Sequence, residues 1–382
     1  MKIIVHRGTH QIGGCATEIK TDTNRIIIDA GSELDGDSPL SIEGVTKGKS
    51  NCDAVLFTHY HGDHIGLIES INKDIPLYMG ELSLKILKKQ NKRQKLFSQE
   101  TIDRIQTYSL KGSLHFGDIR VEPYTVDHSA IDSYFFVVNV GRKLLLHTGD
   151  FRSHGFRGKG LIPTLEMYVG GVDALICEGT TLNRTSKRAM TEYELYQKAK
   201  KIISENKYVF VACASTNFDR IAAFCSAVPH GKYCLCDGYQ RSLLQVVAEN
   251  YGKYSNLYQF PNILTYSDKL LDKMEDRGFC MFIRLGNSLS NRLLEKFKDK
   301  NPLIIYSMWS GYLEDDRIKK AVEGYRMEKL HTSGHADIAT ISQVVETVNP
   351  SVVIPIHTES PLNFPTSKCR ILSVNDGEEI LL

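Results

Sequence analysis

No stretch of this 382-residue chain approaches the roughly 20 consecutive apolar residues of a membrane span. The opening run Met1-Lys2-Ile3-Ile4-Val5-His6-Arg7-Gly8 is too short an apolar stretch for a signal peptide. Charge of one sign is missing too. Basic residues number 47 and acidic residues 45, a formal charge of +2. A whole-molecule positive field therefore gives no evidence for nucleic-acid binding, and any such claim needs a local patch. The nine cysteines form an odd, scattered set with no Cys-x-x-Cys. They read as buried thiols of a reducing compartment, and the expected location is cytoplasmic. Cys234 and Cys236, one residue apart in an expected strand, should share a face. There is one tryptophan, and no internal repeat or low-complexity tract.

What remains is ordinary globular material, 42% hydrophobic and 24% charged, at a length that favours two domains. Up to about residue 185 the chain reads largely as strands. Ile3–Val5, Ile26–Ile28, Ala54–Phe57, Tyr134–Val140 and Lys143–Leu146 are short apolar runs bounded by turn residues. Helical patterns intervene at Ser83–Gln90 and Ser98–Ile105. From about Met190 strands and helices alternate: helix Thr191–Glu205, strand Tyr208–Ala212, helix Asn217–Ala227, strand Tyr233–Cys236, helix Arg241–Glu249, strands Met281–Ile283 and Leu303–Tyr306. Such alternation predicts a parallel sheet flanked by helices. The pattern of the first 185 residues then returns, with helix Asp337–Val348 and strand Val352–Ile356. This order is that of a second domain inserted into the first, with pieces at 1–185, 186–328 and 329–382.

The most informative segment is Thr58-His59-Tyr60-His61-Gly62-Asp63-His64-Ile65-Gly66. Three histidines and an aspartate crowd together at the end of an apolar run. Neutral imidazoles and carboxylates are ligands that zinc accepts. His59 and His61 can converge on one metal, while Asp63 and His64, after a turn that Gly62 permits, face a second. Further positions join them: Asp29, His128, Asp150 and Glu178 at segment ends, and His335 and His357 in the closing region. A dinuclear site needs a carboxylate shared by both metals, and Asp150 is the natural bridge. Two divalent ions about 3.5–4 Å apart lower the pKa of a shared water and supply a hydroxide nucleophile. No Ser–His–Asp triad is then needed.

The order Asp29, His59-x-His61-x-Asp63-His64, His128, Asp150 resembles the four motifs of the metallo-β-lactamase superfamily. Glu178, His335 and His357 resemble the three extra motifs of its β-CASP group, which processes nucleic acids. Within that group His147-Thr148-Gly149-Asp150-Phe151, His331-x-Ser333-Gly334-His335-Ala336 and Ile354-Pro355-Ile356-His357 look like the motifs of the ribonuclease J family. The resemblance spans the chain but not the further carboxy-terminal domain usual in that family. Position 178 is Glu where that family typically has Asp, and Gly8-Thr9-His10-Gln11-Ile12-Gly13-Gly14-Cys15 is only roughly like its Gly-rich opening.

The resemblance implies an αββα metallo-β-lactamase sandwich carrying an inserted α/β β-CASP domain. It implies two zinc ions, with manganese or magnesium as alternatives. His59, His61 and His128 would bind one, Asp63, His64 and His357 the other, and Asp150 would bridge. Asp29 would orient a ligand histidine, and Glu178 would hold the motif histidines. His335 would contact the scissile phosphate or protonate the leaving oxygen. The activity implied is phosphodiester hydrolysis of single-stranded RNA, endo- or 5′-exonucleolytic, with a homodimer among the allowed assemblies. The rivals are a hydrolase of DNA or of a small ester, thioester or lactam, and a protein that binds nucleic acid without cutting it.

Substrate contacts are less defined. The turn His331-Thr332-Ser333-Gly334 could grip a terminal phosphate with hydroxyl and backbone N–H groups, or simply cap the helix that follows. Ser215 and Asn217 open a helix after a strand, where phosphates bind and where N-caps also sit. Lys85, Lys88, Lys89, Lys92, Arg93 and Lys95 form the best basic patch, with a solvated helix face as the alternative. Trp309, beside Gly311, is expected to pack at the domain junction rather than to stack a base.

Overall fold

The computed structural model describes every residue except Asp35, Asp37, Lys111, Lys187 and Ser367. Contacts group the chain into two compact units, Met1–Ala189 with Gly334–Leu382, and Met190–Ser333. Residues 186–189 thus group with the first unit and 329–333 with the second.

The first unit is built on two seven-stranded sheets. One runs in the order Glu379–Leu381, Lys2–Arg7, Ala16–Lys20, Arg25–Ile28, Ala54–Leu56, Leu77–Gly80, Ile105–Tyr108. The other runs Arg370–Ile371, Val352–Ile356, Ala174–Glu178, Lys143–His147, Ser133–Val140, Ile119–Val126, Leu114–Phe116. Their inner faces share one core, in which Ile3, Val5, Ile26, Ile28 and Leu56 meet Phe136, Val138, Leu145, Ile176 and Ile354. Successive strand residues point to opposite faces. In Ala174–Glu178, Ala174 and Ile176 enter that core, while Leu175 and Cys177 face the opposite way. There they pack with Leu161 and Leu165 of helix Leu161–Tyr168 and Ile341, Val344 and Val348 of helix Ile338–Val348. Strands buried on both faces must be apolar throughout, which is why they read as continuous runs rather than as alternation. Helix Glu81–Gln94 lies against the first sheet. The unit is therefore the expected αββα sandwich.

Strand direction brings the chemical residues together. Arg25–Ile28 and Ala54–Leu56 are parallel, as are Lys143–His147, Ala174–Glu178 and Val352–Ile356, with Glu178 opposite Ile356. Their carboxyl ends deliver Asp29, His59, Asp150, Glu178 and His357. Gly149, at φ +53°, makes the turn before Asp150; a Cβ there would also lie 2.7 Å from the Tyr134 carbonyl oxygen.

The turn that Gly62 is expected to permit is a helix start with no positive φ. Gly62 starts a short helix, Gly62–Ile65, and only Ser32 Oγ, at 3.9 Å, lies near a Cβ placed there. The constrained glycine is Gly31. Its loop cradles the helix through Ala30 N–H to His64 O at 2.8 Å and Ser32 N–H to Gly62 O at 3.1 Å. A Cβ on Gly31 would lie 1.7 Å from Asp63 O.

The second unit carries a six-stranded sheet, ordered Ile263–Thr265, Tyr233–Cys236, Phe279–Ile283, Tyr208–Ala212, Leu303–Tyr306, Arg326–Lys329. Each of its pairings is parallel. Its helices begin at polar caps that the sequence shows plainly. Thr191 and Glu194 form a capping box, and Asn217, Asp237 and Asn287 cap the helices after three of the strands. Arg220 is fully buried, with Nε and Nη2 each donating to Glu192 at 2.9 Å, and donates further to Ser307 Oγ and to Thr332 O. Trp309 does not pack as expected. Its ring is 57% exposed, stands edge-on to Tyr312 at 5.4 Å, and lies over Gly311. Its loop is tied to the sheet through backbone, Tyr306 Oη donating to Trp309 O.

Gly31→Ala should be costly, because the displaced atoms are backbone. An overpacking penalty of about 1–3 kcal/mol is expected, seen as a lower melting temperature together with weaker metal uptake. An unchanged melt would mean that the Asp63 loop can shift freely.

Candidate metal centre

The site is assembled at the strand ends of the first unit. His59, His61 and His128 each offer a ring nitrogen to one group, and Asp63, His64, Asp150 and His357 offer a second. A third set links Asp150 and His357 to Glu178 and His335. Asp150 is common ground. Its Oδ2 lies 3.2 Å from His64 Nε2, 3.5 Å from His335 Nδ1, 3.8 Å from His357 Nε2 and 3.9 Å from both His59 Nε2 and His128 Nε2.

Each ring is aimed by a neighbour. Asp29 accepts from Thr58 N–H at 2.7 Å, Thr58 Oγ1–H at 2.8 Å and His64 Nδ1–H at 2.8 Å. That fixes the His64 tautomer and turns Nε2 towards Asp150. Thr180 Oγ1 sits 2.7 Å from His357 Nδ1 and 3.2 Å from His335 Nδ1, leaving His357 Nε2 3.2 Å from Asp63 Oδ2. Glu178 accepts from the backbone N–H of Phe151 and Ala336 and pairs with His335 Nδ1 at 3.2 Å. Asp29 and His357 both hold positive φ, 62° and 52°. Such backbone costs about 1–3 kcal/mol for a non-glycine residue and persists only where the surroundings over-determine it.

The electrostatics separate the two groups. Burial, reinforced by neighbouring imidazoles, lowers His59 well below the usual histidine range. Burial takes His61 down to about 4 and holds His128 low as well. These three rings are neutral and present lone pairs, the form a metal requires. In the second group burial opposes charge, but the pairs outweigh it. His64 and His357 hold Asp63 low, and His357, His64 and His335 hold Asp150 low. Asp150, Asp29 and Asp63 raise His64, while Glu178 and Asp150 raise His335 to about 9.

The donor set fits a divalent cation. His59 Nε2 is buried with no hydrogen-bond partner, and His128 Nε2 faces His61 Nδ1 at 3.3 Å. Imidazole nitrogens gathered beside buried carboxylates are the ligands of zinc-type sites.

The remaining sequence candidates divide between the two units. Gly334 belongs to the first unit; a Cβ there would meet Ser129 Oγ at 2.5 Å and His128 Cε1 at 3.5 Å. His331 and Ser333 belong to the second unit, where His331 Nδ1 accepts from Arg220 at 3.1 Å and Ser333 is buried. Asn217 Oδ1 caps its helix by accepting from Arg220 N–H at 3.2 Å, and Ser215 O accepts from Gln240. Lys85, Lys88, Lys89, Lys92, Arg93 and Lys95 are all exposed on or just after helix Glu81–Gln94, with Lys85 paired to Glu81. Sequence reasoning does not find Thr58, Thr180 or Cys15. The two threonines sit one or two residues from His59 and Glu178, and that adjacency is the signal that could have found them.

Asp29→Asn should fold yet bind metal about 10–100-fold more weakly, because the amide no longer fixes His64 as a carboxylate does. Metal-buffered titration measures this. Unchanged affinity would reduce Asp29 to a packing residue.

Comparison with known proteins agrees with this geometry. Residues 24–204 match the model of the beta-lactamase superfamily domain. Ribonuclease J of Mycoplasma pneumoniae is 23% identical over 94% of this chain and 68% of its own length. Ribonuclease J of Mycoplasma genitalium is 24% identical with the same coverage, and ribonuclease J 2 of Streptococcus pyogenes is 23% identical over 94% of this chain and 70% of its own. A crystal structure of an Enterococcus faecalis protein of unknown function superposes with a TM-score of 0.79 at 18% identity, covering 100% of this chain and 99% of that one, and shows the shared fold. Fold, donor set and relatives converge: the chain carries a domain of the metallo-β-lactamase type at residues 24–204 and is similar to ribonuclease J along most of its length.

Proposed function

We propose that this hydrolase cleaves phosphodiester bonds of single-stranded RNA with two bound zinc ions. The observation that carries the reading is the position of Asp150, whose Oδ2 lies between the His59/His61/His128 group and the Asp63/His64/His357 group. One carboxylate shared by two donor sets is the arrangement a dinuclear centre requires. Relatives named ribonuclease J along nearly the whole chain support the RNA assignment.

In this reading His59, His61 and His128 hold one ion, Asp63, His64 and His357 the other, and Asp150 both. When bound, the ions supply Lewis acidity towards a phosphoryl oxygen and lower the pKa of a water. The chain supplies position and a proton. Asp29 and Thr180 keep the rings of His64 and His357 aimed. His335, whose side chain is 21% exposed, is raised by Glu178 and Asp150 against its burial, which favours its protonated form. It can contact a phosphate oxygen and give that proton to the leaving oxygen, while Glu178 holds its Nδ1. His331, whose Nδ1 accepts from Arg220, carries its own proton on Nε2, a donor suited to a terminal phosphate. Ser333 and Gly334 complete that turn.

End-labelled single-stranded RNA and DNA, each with 5′-monophosphate or 5′-hydroxyl ends, test this directly. Zinc-loaded protein should cut RNA and favour the monophosphate. Ser333→Ala should weaken that preference more than it weakens internal cleavage. Asp150→Ala should lose metal and activity together. His335→Ala should keep about two zinc ions and lose roughly 100-fold or more in turnover, the scale of general acid catalysis. Hydrolysis of small esters or lactams without any cleavage of RNA or DNA would overturn the proposal, and so would a single tightly held metal.

A further inference from the structure

We propose that Cys15 is an additional ligand of the metal position surrounded by Asp63, His64 and His357, and that its sulfur biases this position towards zinc over manganese or magnesium. The inference rests on the metal-centre reading above and adds the residue that selects the metal.

Cys15 Sγ and one ring nitrogen each of His64 and His357 lie within 4.8 Å of one another, and all three residues are buried. The thiol is therefore part of a three-donor group, and its place is fixed from two sides. On one side its backbone is stitched to the ligand loop. Cys15 N–H donates to Asp63 O at 3.0 Å, and Cys15 O accepts from Gly31 N–H at 3.0 Å. On the other side lies Gly8, whose carbonyl accepts from His357 N–H at 2.7 Å. A Cβ built on Gly8 would lie 3.4 Å from the sulfur. Cys15 is thus tied by its backbone to the segment that delivers Asp63, and its sulfur lies beside Gly8, which is bonded to the segment that delivers His357.

The other buried thiols are differently placed. Cys177 Sγ is 3.4 Å from Glu178 O and packs among apolar side chains, and Cys234 Sγ is 3.6 Å from Cys225 Sγ. Cys15 Sγ has no hydrogen-bond partner among the described residues, although it is only 2% exposed. A buried sulfur without a donor or acceptor, within 4.8 Å of a ring nitrogen of each of two imidazoles, has a cation as its natural partner. Coordination forms one sulfur–metal bond and releases the thiol proton to solvent. Thiolate is a soft ligand that suits zinc, whereas carboxylate and water suit magnesium and manganese. With carboxylates and imidazoles alone, the position would discriminate less.

Cobalt substitution reads the bond without reference to turnover. Wild-type protein loaded with Co2+ should show a sulfur-to-cobalt charge-transfer band in the near ultraviolet. Cys15→Ser and Cys15→Ala should keep the visible cobalt bands and their circular dichroism but lose the near-ultraviolet band. In dialysis against mixed zinc and manganese, followed by elemental analysis, both variants should shift towards manganese by at least about tenfold, the scale on which even outer-shell partners act. A cobalt-loaded wild type with no sulfur band, or variants with the wild-type zinc-to-manganese ratio, would overturn the role of Cys15 and leave the metal centre standing. A wild type that takes up no cobalt would overturn both. RNA cleavage assayed in parallel keeps the substrate question separate, since the spectrum does not depend on it.

Discussion

Everything at the working edge of this protein answers to one buried carboxylate. Asp150 is 2% exposed, and an ionised group so placed costs several kcal/mol unless it is compensated. Five imidazoles stand within 3.9 Å of its Oδ2. Those nearest share their charge with it, and the more distant His59 and His128 stay neutral. The same arrangement that tolerates the anion makes it a strong site for divalent cations, because both respond to one concentration of negative charge in a poorly solvated place.

The sandwich exists to make that concentration reachable. Parallel strands bring their carboxyl ends out side by side, and each end carries one residue of the cluster. The last step of each delivery is strained or tightly enclosed: left-handed backbone at Asp29 and His357, a left-handed glycine before Asp150, and Gly31 pressed against Asp63. Many separate hydrogen bonds to Thr58, Thr180 and backbone amides hold these points. Loss of one such bond should therefore be felt first as misaimed ligands and only second as lost stability.

Much of this is legible in the chain because the fold buries strands on both faces. Continuous apolar runs such as Tyr208–Ala212, Leu303–Tyr306 and Val352–Ile356 match the strands residue for residue, and polar residues at their ends mark the site. Helix caps such as Thr191, Asn217 and Asp337 are equally plain, since a side chain that accepts from a free N–H has few other reasons for its position. The edge strands Leu114–Phe116 and Ile105–Tyr108 are not visible, because their exposed residues break the apolar pattern. Gly62 reads as the place of a sharp turn and is the start of a short helix, a distinction that spacing alone does not make. Cys15 is invisible in the sequence as a metal-side residue. It approaches from a different segment, with no local motif, and only the folded chain brings its sulfur near His64 and His357.

The exposed indole of Trp309 has a practical corollary. It is the only tryptophan in the chain, it lies in the second unit, and its ring rests on Gly311 with more than half its surface in solvent. Ultraviolet emission excited at the indole edge therefore comes from one spot, and the sandwich is dark in that channel. An indole already in water changes colour little when its surroundings unfold. The signal is better suited to registering the arrival of a molecule at that face than the melting of the protein beneath it.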